Sequence, residues 1–249
     1  MRRPCFFSTN GKAVVVAIDH ALYSWPCKGL EDRRALISTV ASAGADAVIA
    51  SYGTIRDERE AFGEAAPILK LDLTTVTLGS SYEITDHVPT WTLEHAMRLG
   101  VRAVMTYVQL GAPFELEALK AAGRIAADCD RHGLDYICEI MPIESPRFPD
   151  AYAPDAIAAS CRTGAELGAH VIKTTMPSPA SRIADSTSCG TPIILAGGNF
   201  ASDRERYLAD ISAAMDAGAA GVAVGRNVWG APNPAEVVKQ LCRIVHGTS

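Results

Sequence analysis

Short apolar runs alternate with amphipathic or strongly polar stretches along the whole chain, and the pattern repeats eight times. The runs are rich in β-branched side chains and have the length of buried strands. They are residues 13–18, 47–51, 68–73, 103–109, 135–141, 170–176, 192–196 and 221–224. The stretches between and after them, helical in period or highly charged, are residues 31–43, 54–62, 92–99, 113–131, 155–167, 178–188, 203–217 and 234–245. Alternation of this kind predicts βαβ units with a parallel sheet.

The same glycine turn precedes four of the predicted strands, at residues 43–48, 99–104, 167–172 and 217–222. In each, a glycine ends a helix, where the left-handed conformation favours it, and a strand follows within about three residues. We expect an α/β fold, a single (β/α)8 TIM barrel formed by residues 1–249, because one barrel of this type needs about 250 residues. The alternative is a doubly wound sheet, but the Gly-x-Gly-x-x-Gly signature of dinucleotide-binding sheets does not follow the first strand.

Composition places the chain among soluble globular proteins, with 48% hydrophobic and 20% charged residues. The net charge of −5 argues against a nucleic-acid partner, since phosphate backbones attract basic surfaces. No apolar run approaches the roughly 18 residues that span a bilayer, and the first residues contain no signal-peptide core. We therefore expect a cytoplasmic protein without a membrane partner.

Seven cysteines are scattered without a Cys-x-x-Cys pair, which is typical of reduced thiols in a cytosolic protein. The six histidines share no spacing that suits a metal site. We expect neither a metal nor another cofactor.

Polar side chains concentrate at the carboxyl ends of the predicted strands, where barrel enzymes carry their active sites. Lys70 and Lys173 are the two lysines that fall within apolar strand runs. Burial disfavours an ammonium group and lowers its pKa, and a neutral lysine is what imine formation with a carbonyl requires. The alternative is a lysine held in a structural ion pair. Lys70 is the weaker imine candidate, because Asp72 lies on the same strand face and would neutralise it. We expect Lys70 to bind the substrate or its phosphate instead.

Glycines follow the seventh and eighth strands, where this barrel type commonly binds phosphate. Gly197 and Gly198 open one loop and Gly225 the other, and glycine lets backbone N–H groups approach an anion closely. Arg226 adds a positive charge directly after Gly225. We expect these four residues to bind a phosphorylated substrate.

Four further side chains are candidates for the chemistry. Asp19 and His20 end the first predicted strand. The Asp19 carboxylate would bind a substrate hydroxyl or relay a proton. His20 would either bind substrate or pack outside the barrel, since neighbouring strand residues point to opposite faces. Glu139 on the fifth strand would act as an acid or base or pair with a lysine. Tyr107 on the fourth strand is either a further catalytic group or a core residue.

The strand ends together resemble those of the archaeal-type class I fructose-bisphosphate aldolases, in the deoxyribose-phosphate aldolase-like superfamily. That group also contains 2-amino-3,7-dideoxy-threo-hept-6-ulosonate synthase and the autoinducer-2 processing thiolase. The family's Met-Asp-His-Gly motif appears here as Ile-Asp-His-Ala at residues 18–21. Its Gly-Leu, Ile/Val-Lys-Thr, Ala-Gly-Gly and Gly-Arg-Asn motifs are matched by residues 29–30, 172–174, 196–198 and 225–227. The resemblance covers essentially the whole chain and implies a TIM barrel, an imine on Lys173, a phosphorylated substrate and an oligomeric enzyme.

One departure from the family pattern concerns the proton-transferring tyrosine that precedes a proline on the fifth strand. Met141 occupies that position, before Pro142, and a thioether transfers no proton. Either another group, with Glu139 the leading candidate, has taken over, or the reaction differs from ordinary hexose bisphosphate cleavage.

The resulting expectation is a metal-independent class I aldolase or transaldolase that forms or cleaves a C–C bond in a ketose phosphate or a dihydroxyacetone-phosphate-type substrate. Three alternatives stay open: thiolase-type acyl transfer on a phosphorylated diketone, a phosphosugar isomerase, and a phosphosugar-binding barrel without catalysis.

Overall fold

Eight parallel strands close into a barrel, as predicted. The structure, a computed structural model, describes residues 3–74 and 87–247 and the backbone of residues 77–78. Each strand pairs with the next in sequence, and the last returns to the first through Ala13 opposite Gly221 and Val16 opposite Val224. The barrel strands are β1 (Ala13–Ala17), β2 (Ala47–Ala50), β3 (Ala66–Lys70), β4 (Ala103–Leu110), β5 (Asp135–Pro142), β6 (Val171–Thr174), β7 (Ile193–Ala196) and β8 (Gly221–Val224). A closed parallel barrel excludes the doubly wound sheet.

Helices connect the strands on the outside of the barrel. They are α1 (Arg33–Ser42), α2 (Tyr52–Asp57), α3 (Leu93–Arg98), α4 (Glu115–His132), α5 (Pro154–Glu166), α6 (Arg204–Asp216), α7 (Arg226–Trp229) and α8 (Pro234–His246). The predicted helix at 178–188 is a 3-10 helix, Ala180–Cys189, and the charged stretch at 54–62 divides between α2 and the 3-10 helix Arg59–Phe62. In the described part of the chain, no helix is long and apolar enough to cross a membrane.

Several strands end earlier than predicted, and at β1 and β3 the early end redirects the chain. β1 ends at Ala17, and Asp19–Leu22 form a 3-10 turn above it. β3 ends at Lys70, and Asp72–Thr74 pair instead with His87–Pro89 in a separate antiparallel ribbon. Both changes occur at the carboxyl edge of the barrel, where the chain bends over the opening.

Strand alternation divides the core into two layers. The inner layer fills the barrel with side chains such as Val15, Ile68 and Val171, and Phe6 and Phe7 close its N-terminal end. The outer layer packs the opposite strand faces against the helices. Because successive strand residues point to opposite faces, the side chains two positions beyond Ile68 and Val171 also point into the barrel.

The four predicted helix-to-strand turns have the expected backbone. Gly44, Gly100, Gly168 and Gly218 have φ angles of +103°, +66°, +92° and +104°, in the left-handed region that glycine adopts without steric cost. These turns begin β2, β4, β6 and β8 at the amino edge, so the longer loops and the open cleft lie at the carboxyl edge.

Candidate active site

A single cleft at the carboxyl edge brings together all ten predicted site residues. It is lined by Asp19, His20, Lys70, Tyr107, Glu139, Lys173, Gly197, Gly198, Gly225 and Arg226. Their common position follows from topology, because the carboxyl ends of all eight strands meet at this edge.

Lys173 projects from β6 into the barrel, next to Glu139 on β5. The two residues are register partners on adjacent strands, and Lys173 Nζ lies 2.6 Å from Glu139 Oε1. Lys173 is 5% exposed and Glu139 is 9% exposed. The amine therefore faces the cleft, with a largely desolvated carboxylate in hydrogen-bond contact.

Lys70 approaches the same carboxylate from the other side. Its Nζ lies 4.0 Å from Glu139 Oε2 and 2.7 Å from Asp72 Oδ1. Burial opposes its charge, but the carboxylates of Asp72, Glu139 and Asp19 outweigh that effect, so the pKa of Lys70 is raised. The expectation that burial in a strand lowers the pKa is therefore wrong for Lys70, which is held as an ammonium ion.

Asp72 lies just beyond the end of β3 and contacts Lys70, His87 and the backbone of Tyr107. It lies 3.1 Å from His87 Nε2 through Oδ2, which also accepts a 2.6 Å hydrogen bond from the Tyr107 backbone N–H. Burial raises the pKa of Asp72 to about 6, although Lys70 opposes the shift. Sequence reasoning missed His87 as a cleft residue, because no local pattern predicts that the strand His87–Pro89 returns to Asp72.

Tyr107 also points inward, opposite Glu139 in the register of β4 and β5. Gln109 Nε2 donates a 3.0 Å hydrogen bond to the Tyr107 hydroxyl, and Lys70 Nζ lies 5.2 Å from the centre of its ring. The Tyr107 hydroxyl oxygen, which accepts the bond from Gln109, therefore lies at the cleft wall.

The glycine loops after β7 and β8 pack tightly against each other. A Cβ at Gly197 would lie 2.9 Å from Val224 Cγ1, and a Cβ at Gly225 would lie 2.9 Å from the Ala17 carbonyl oxygen. Gly198 has a φ of +66°. Arg226, partly buried beside them, has no carboxylate at ion-pair distance among the described residues. The two loops therefore present a positive charge to which no described residue supplies a counter-ion.

Asn227, buried to 3% exposure, joins these loops. Its Nδ2 donates to the carbonyl oxygens of Gly197 and Asn199 at 2.9 and 2.8 Å, and its Oδ1 accepts from the Ala201 N–H at 2.8 Å. In a trans peptide the N–H points opposite to the C=O. The N–H of Gly198 is thus turned away from Asn227. Although the Gly-Arg-Asn motif was visible in the sequence, this long-range role of its asparagine was not.

Asp19 and His20 both face the cleft, so the alternative that strand alternation would place His20 outside is wrong. They lie in the 3-10 turn rather than in β1, where the alternation rule does not apply. Burial lowers the pKa of His20 to about 4, an effect that Asp19 opposes and the charges of Arg226 and Lys173 reinforce. The imidazole, whose Nδ1 lies 3.1 Å from the Tyr23 hydroxyl, is neutral at pH 7.

Met141 occupies the cleft wall where the resembling family carries tyrosine. The Thr175 hydroxyl lies 3.5 Å from its sulfur. Two tyrosines that sequence reasoning did not select, Tyr23 and Tyr152, also line the cleft from loops. Loop side chains of this kind have no strand or helix period that would predict where they point.

Comparison with known proteins supports an aldolase. Residues 13–231 match the DeoC/LacD family aldolases. The chain is 34% identical to 2-amino-3,7-dideoxy-D-threo-hept-6-ulosonate synthase of Halobacterium salinarum over 96% of this chain and 88% of that one. It is 27% identical to fructose-bisphosphate aldolase class 1 of Thermoproteus tenax over 97% and 92%.

Solved structures agree with the sequence matches. A crystal structure of an archaeal fructose 1,6-bisphosphate aldolase superposes with a TM-score of 0.87 at 25% identity, over 98% of this chain and 97% of that one. A second structure, of an archaeal fructose-1,6-bisphosphate aldolase with its catalytic lysine covalently bound to the carbinolamine intermediate of the substrate, gives 0.86 at 25% identity over 97% of each chain. The chain therefore belongs to the DeoC/LacD aldolase family and is a class I, Schiff-base enzyme that forms or cleaves a carbon–carbon bond.

Proposed function

We propose that Lys173 is the Schiff-base residue and that the substrate is a phosphorylated ketone, such as dihydroxyacetone phosphate or a ketose phosphate. The observation that carries the proposal is the contact of 2.6 Å between the Lys173 amine and Glu139, inside the cleft that also contains Arg226. An amine that condenses with a carbonyl must first lose a proton, and a carboxylate in contact with it is the acceptor. Lys70 is the poorer nucleophile, because its raised pKa keeps it protonated.

Glu139 serves as the acid and base in place of the family tyrosine. It takes a proton from Lys173, and the free amine adds to the ketone to give a carbinolamine. Glu139 then returns the proton to the carbinolamine hydroxyl, which leaves as water and forms the iminium ion. The iminium withdraws the electron pair of the adjacent C–C or C–H bond, so bond cleavage or formation passes through an enamine.

Two further groups assist the carbon–carbon step. The Tyr107 hydroxyl, next to Glu139, donates a hydrogen bond to the oxygen that becomes an alkoxide or an aldehyde. Asp19, at the opposite wall on the β1 turn, binds a substrate hydroxyl. Neither role requires a metal, because the iminium itself is the electron sink.

The phosphate lies against the β7 and β8 loops, bound by Gly197, Gly198, Gly225 and Arg226, with neutral His20 beside them. The guanidinium of Arg226, which no carboxylate of the described residues pairs, supports this placement, since a partly buried cation is stabilised by an anion. The name of the Streptomyces griseus relative, 2-amino-4,5-dihydroxy-6-oxo-7-(phosphonooxy)heptanoate synthase, includes a phosphorylated ketone; it is 28% identical over 94% of this chain.

The remaining expectations accompany this function. We infer one aldolase domain over residues 1–249, of which residues 1–2, 75–76, 79–86 and 248–249 lie outside the described ranges. We also infer a cytoplasmic homo-oligomer, which size-exclusion chromatography with light scattering tests directly.

Borohydride trapping tests the nucleophile. The protein is incubated with a panel of phosphorylated ketones, reduced with borohydride, weighed intact and digested to map the modified residue. We expect one adduct per chain, on Lys173. The Lys173→Met variant should form none, and the matched Lys70→Met variant should still be labelled at residue 173. Labelling at residue 70, or no labelling with any ketone, would contradict the proposal.

A further inference from the structure

His87 is a buried histidine at the cleft wall that has no part in the chemistry described so far. Its side chain is 2% exposed, and it begins the ribbon strand His87–Pro89 that pairs with Asp72–Thr74. Its ring packs edge-on against the ring of Tyr107, with 5.1 Å between the ring centres. A buried titratable side chain at the wall of a catalytic cleft is a candidate for a functional role.

The two ring nitrogens of His87 both face oxygen atoms of the protein. Nδ1 lies 3.1 Å from the carbonyl oxygen of Leu73, which can only accept, so Nδ1 carries a hydrogen atom and donates it. Nε2 lies 3.1 Å from Asp72 Oδ2. In a neutral imidazole Nε2 would then have no hydrogen atom, and its lone pair would face a carboxylate oxygen. That contact is repulsive, whereas a protonated Nε2 forms an ion pair with Asp72.

Asp72 is ionised in this arrangement. The ammonium group of Lys70, which only donates, lies 2.7 Å from Oδ1, and the Tyr107 backbone N–H donates to Oδ2 at 2.6 Å. Both oxygens face donors, which suits a carboxylate rather than a carboxylic acid. Although burial raises the pKa of Asp72 to about 6, the carboxyl group is still ionised at pH 7. The proton between the two side chains therefore lies on His87.

Asp72 thus lies between two cations. Lys70 remains its ion-pair partner at the shorter distance, and the imidazolium of His87 approaches the oxygen that already accepts from the Tyr107 N–H. Two positive charges and one negative charge give the three side chains a net positive charge. This charge lies beside Glu139, because Lys70 Nζ is 4.0 Å from Glu139 Oε2. Burial keeps solvent from screening it fully.

A net positive charge at this wall assists a reaction that develops negative charge on its substrate. When the carbon–carbon bond forms, the aldehyde oxygen of the acceptor becomes an alkoxide, and in cleavage the alkoxide becomes the aldehyde again. Fixed charges in a desolvated site stabilise such an oxygen without having to reorganise. Since both nitrogens of His87 are engaged by Leu73 and Asp72, His87 acts through Asp72 and Lys70 rather than on the substrate.

We propose that His87 is an imidazolium ion at pH 7 and a positioning residue for the carbon–carbon step. It shares Asp72 with Lys70 and so gives the wall beside Glu139 a net positive charge. The charge of His87 is inferred from its contacts alone, whereas its role in turnover rests on the proposed function.

Neutron diffraction from crystals of the deuterium-exchanged enzyme at pH 7 tests the charge directly. We expect a deuteron on each ring nitrogen of His87 and none on the Asp72 carboxyl group. His20 is the internal reference and should carry one deuteron, because burial lowers its pKa to about 4 and leaves it neutral. A bare Nε2 on His87, or a deuteron on Asp72, would overturn the inference.

The His87→Gln variant tests the role in turnover. Glutamine offers a neutral donor in place of the imidazolium ion. We expect kcat to fall by about fivefold to tenfold, the difference between charged and neutral hydrogen bonds, while KM for the phosphorylated ketone stays near the wild-type value. The matched control is His132→Gln, at the exposed end of α4, which should leave both constants unchanged. Wild-type kcat in folded His87→Gln, or an equal loss in His132→Gln, would refute the role.

Borohydride trapping separates this inference from the proposed function. If a ketone labels Lys173 but the neutron structure shows a neutral His87, the inference fails and the proposed function stands. If no ketone of the panel labels Lys173, the proposed function fails together with the role of His87 in turnover. The neutron structure decides the charge of His87 in either case, and it needs no variant.

Discussion

Replacing Glu139 with glutamine tests the proposed proton transfer most directly. Glutamine keeps the size of the side chain and its hydrogen bond to Lys173, but it accepts no proton from the amine. With Glu139 ionised, its charge and that of Asp72 balance the ammonium groups of Lys70 and Lys173. The substitution removes one negative charge from this desolvated group.

The expected loss of activity follows from the geometry. Lys173 Nζ and Glu139 Oε1 are 2.6 Å apart, and their side chains are 7% and 12% exposed, so water is poorly placed to replace the carboxylate. Removing a general acid and base of this kind lowers kcat by about 10²–10⁴-fold. The Lys173 adduct should still be trapped by borohydride after long incubation, because the nucleophile itself remains.

The assay measures kcat and the rate of adduct formation in Glu139→Gln and in Glu117→Gln, a control on the exposed face of α4. The control should behave like the wild type, since Glu117 lies on the surface paired with Lys120. Turnover of Glu139→Gln near the wild-type rate would refute the role of Glu139 and move the proton transfer to Tyr107 or Asp19.

Three further predictions concern binding and stability. Asn227→Ala removes three buried hydrogen bonds. We therefore expect KM for the phosphorylated ketone to rise about tenfold or more and the free energy of unfolding to fall by about 2–4 kcal/mol. An unchanged KM would contradict the role of Asn227 in the phosphate loops. Gly29→Ala places a Cβ 1.9 Å from the Trp229 carbonyl oxygen at a φ of +97°, so urea denaturation should show a larger loss of stability than in Gly11→Ala, where φ is +76° and the space is open; equal losses would argue against the clash. The pKa of Asp72 is about 6 in the folded protein and about 3.9 in an unfolded chain. Between these values the folded state binds the extra proton, so its stability falls as pH rises. This dependence of stability on pH should be weaker in Asp72→Asn, and a slope identical to that of the wild type would contradict the shift.

The barrel and the inward direction of its polar side chains were predictable from local pattern. Strand alternation places Lys173 with Val171 and Glu139 with Ile137 on the inner face, and this face is determined by the apolar core that the strands share. The glycine turns were equally predictable, since a left-handed helix end followed by a strand is a local conformational requirement.

The carboxyl ends of strands were less predictable. The apolar run at 68–73 suggests one continuous strand, yet the chain leaves the barrel after Lys70, because Asp72–Thr74 pair with His87–Pro89 instead. Pairing between segments so far apart in sequence depends on the folded barrel edge. The contacts of His87 with Asp72 and of Asn227 with the β7 loop were hidden for the same reason.

The proposed choice of Lys173 over Lys70 as the imine-forming residue depends on the charged side chains that surround each lysine in the folded protein. Both amines lie near one carboxylate, but they differ in their second partner. If Lys70 lost its proton, Asp72 would be left as a buried anion without its ion-pair partner, 2.7 Å from a neutral amine, which is costly. If Lys173 passes its proton to Glu139, both partners become neutral and no charge is isolated, since Glu139 is the one carboxylate within ion-pair distance of Lys173 among the described residues. In the proposed mechanism the same burial keeps one lysine charged and lets the other act as a nucleophile, and this difference does not follow from the strand position that the two lysines share.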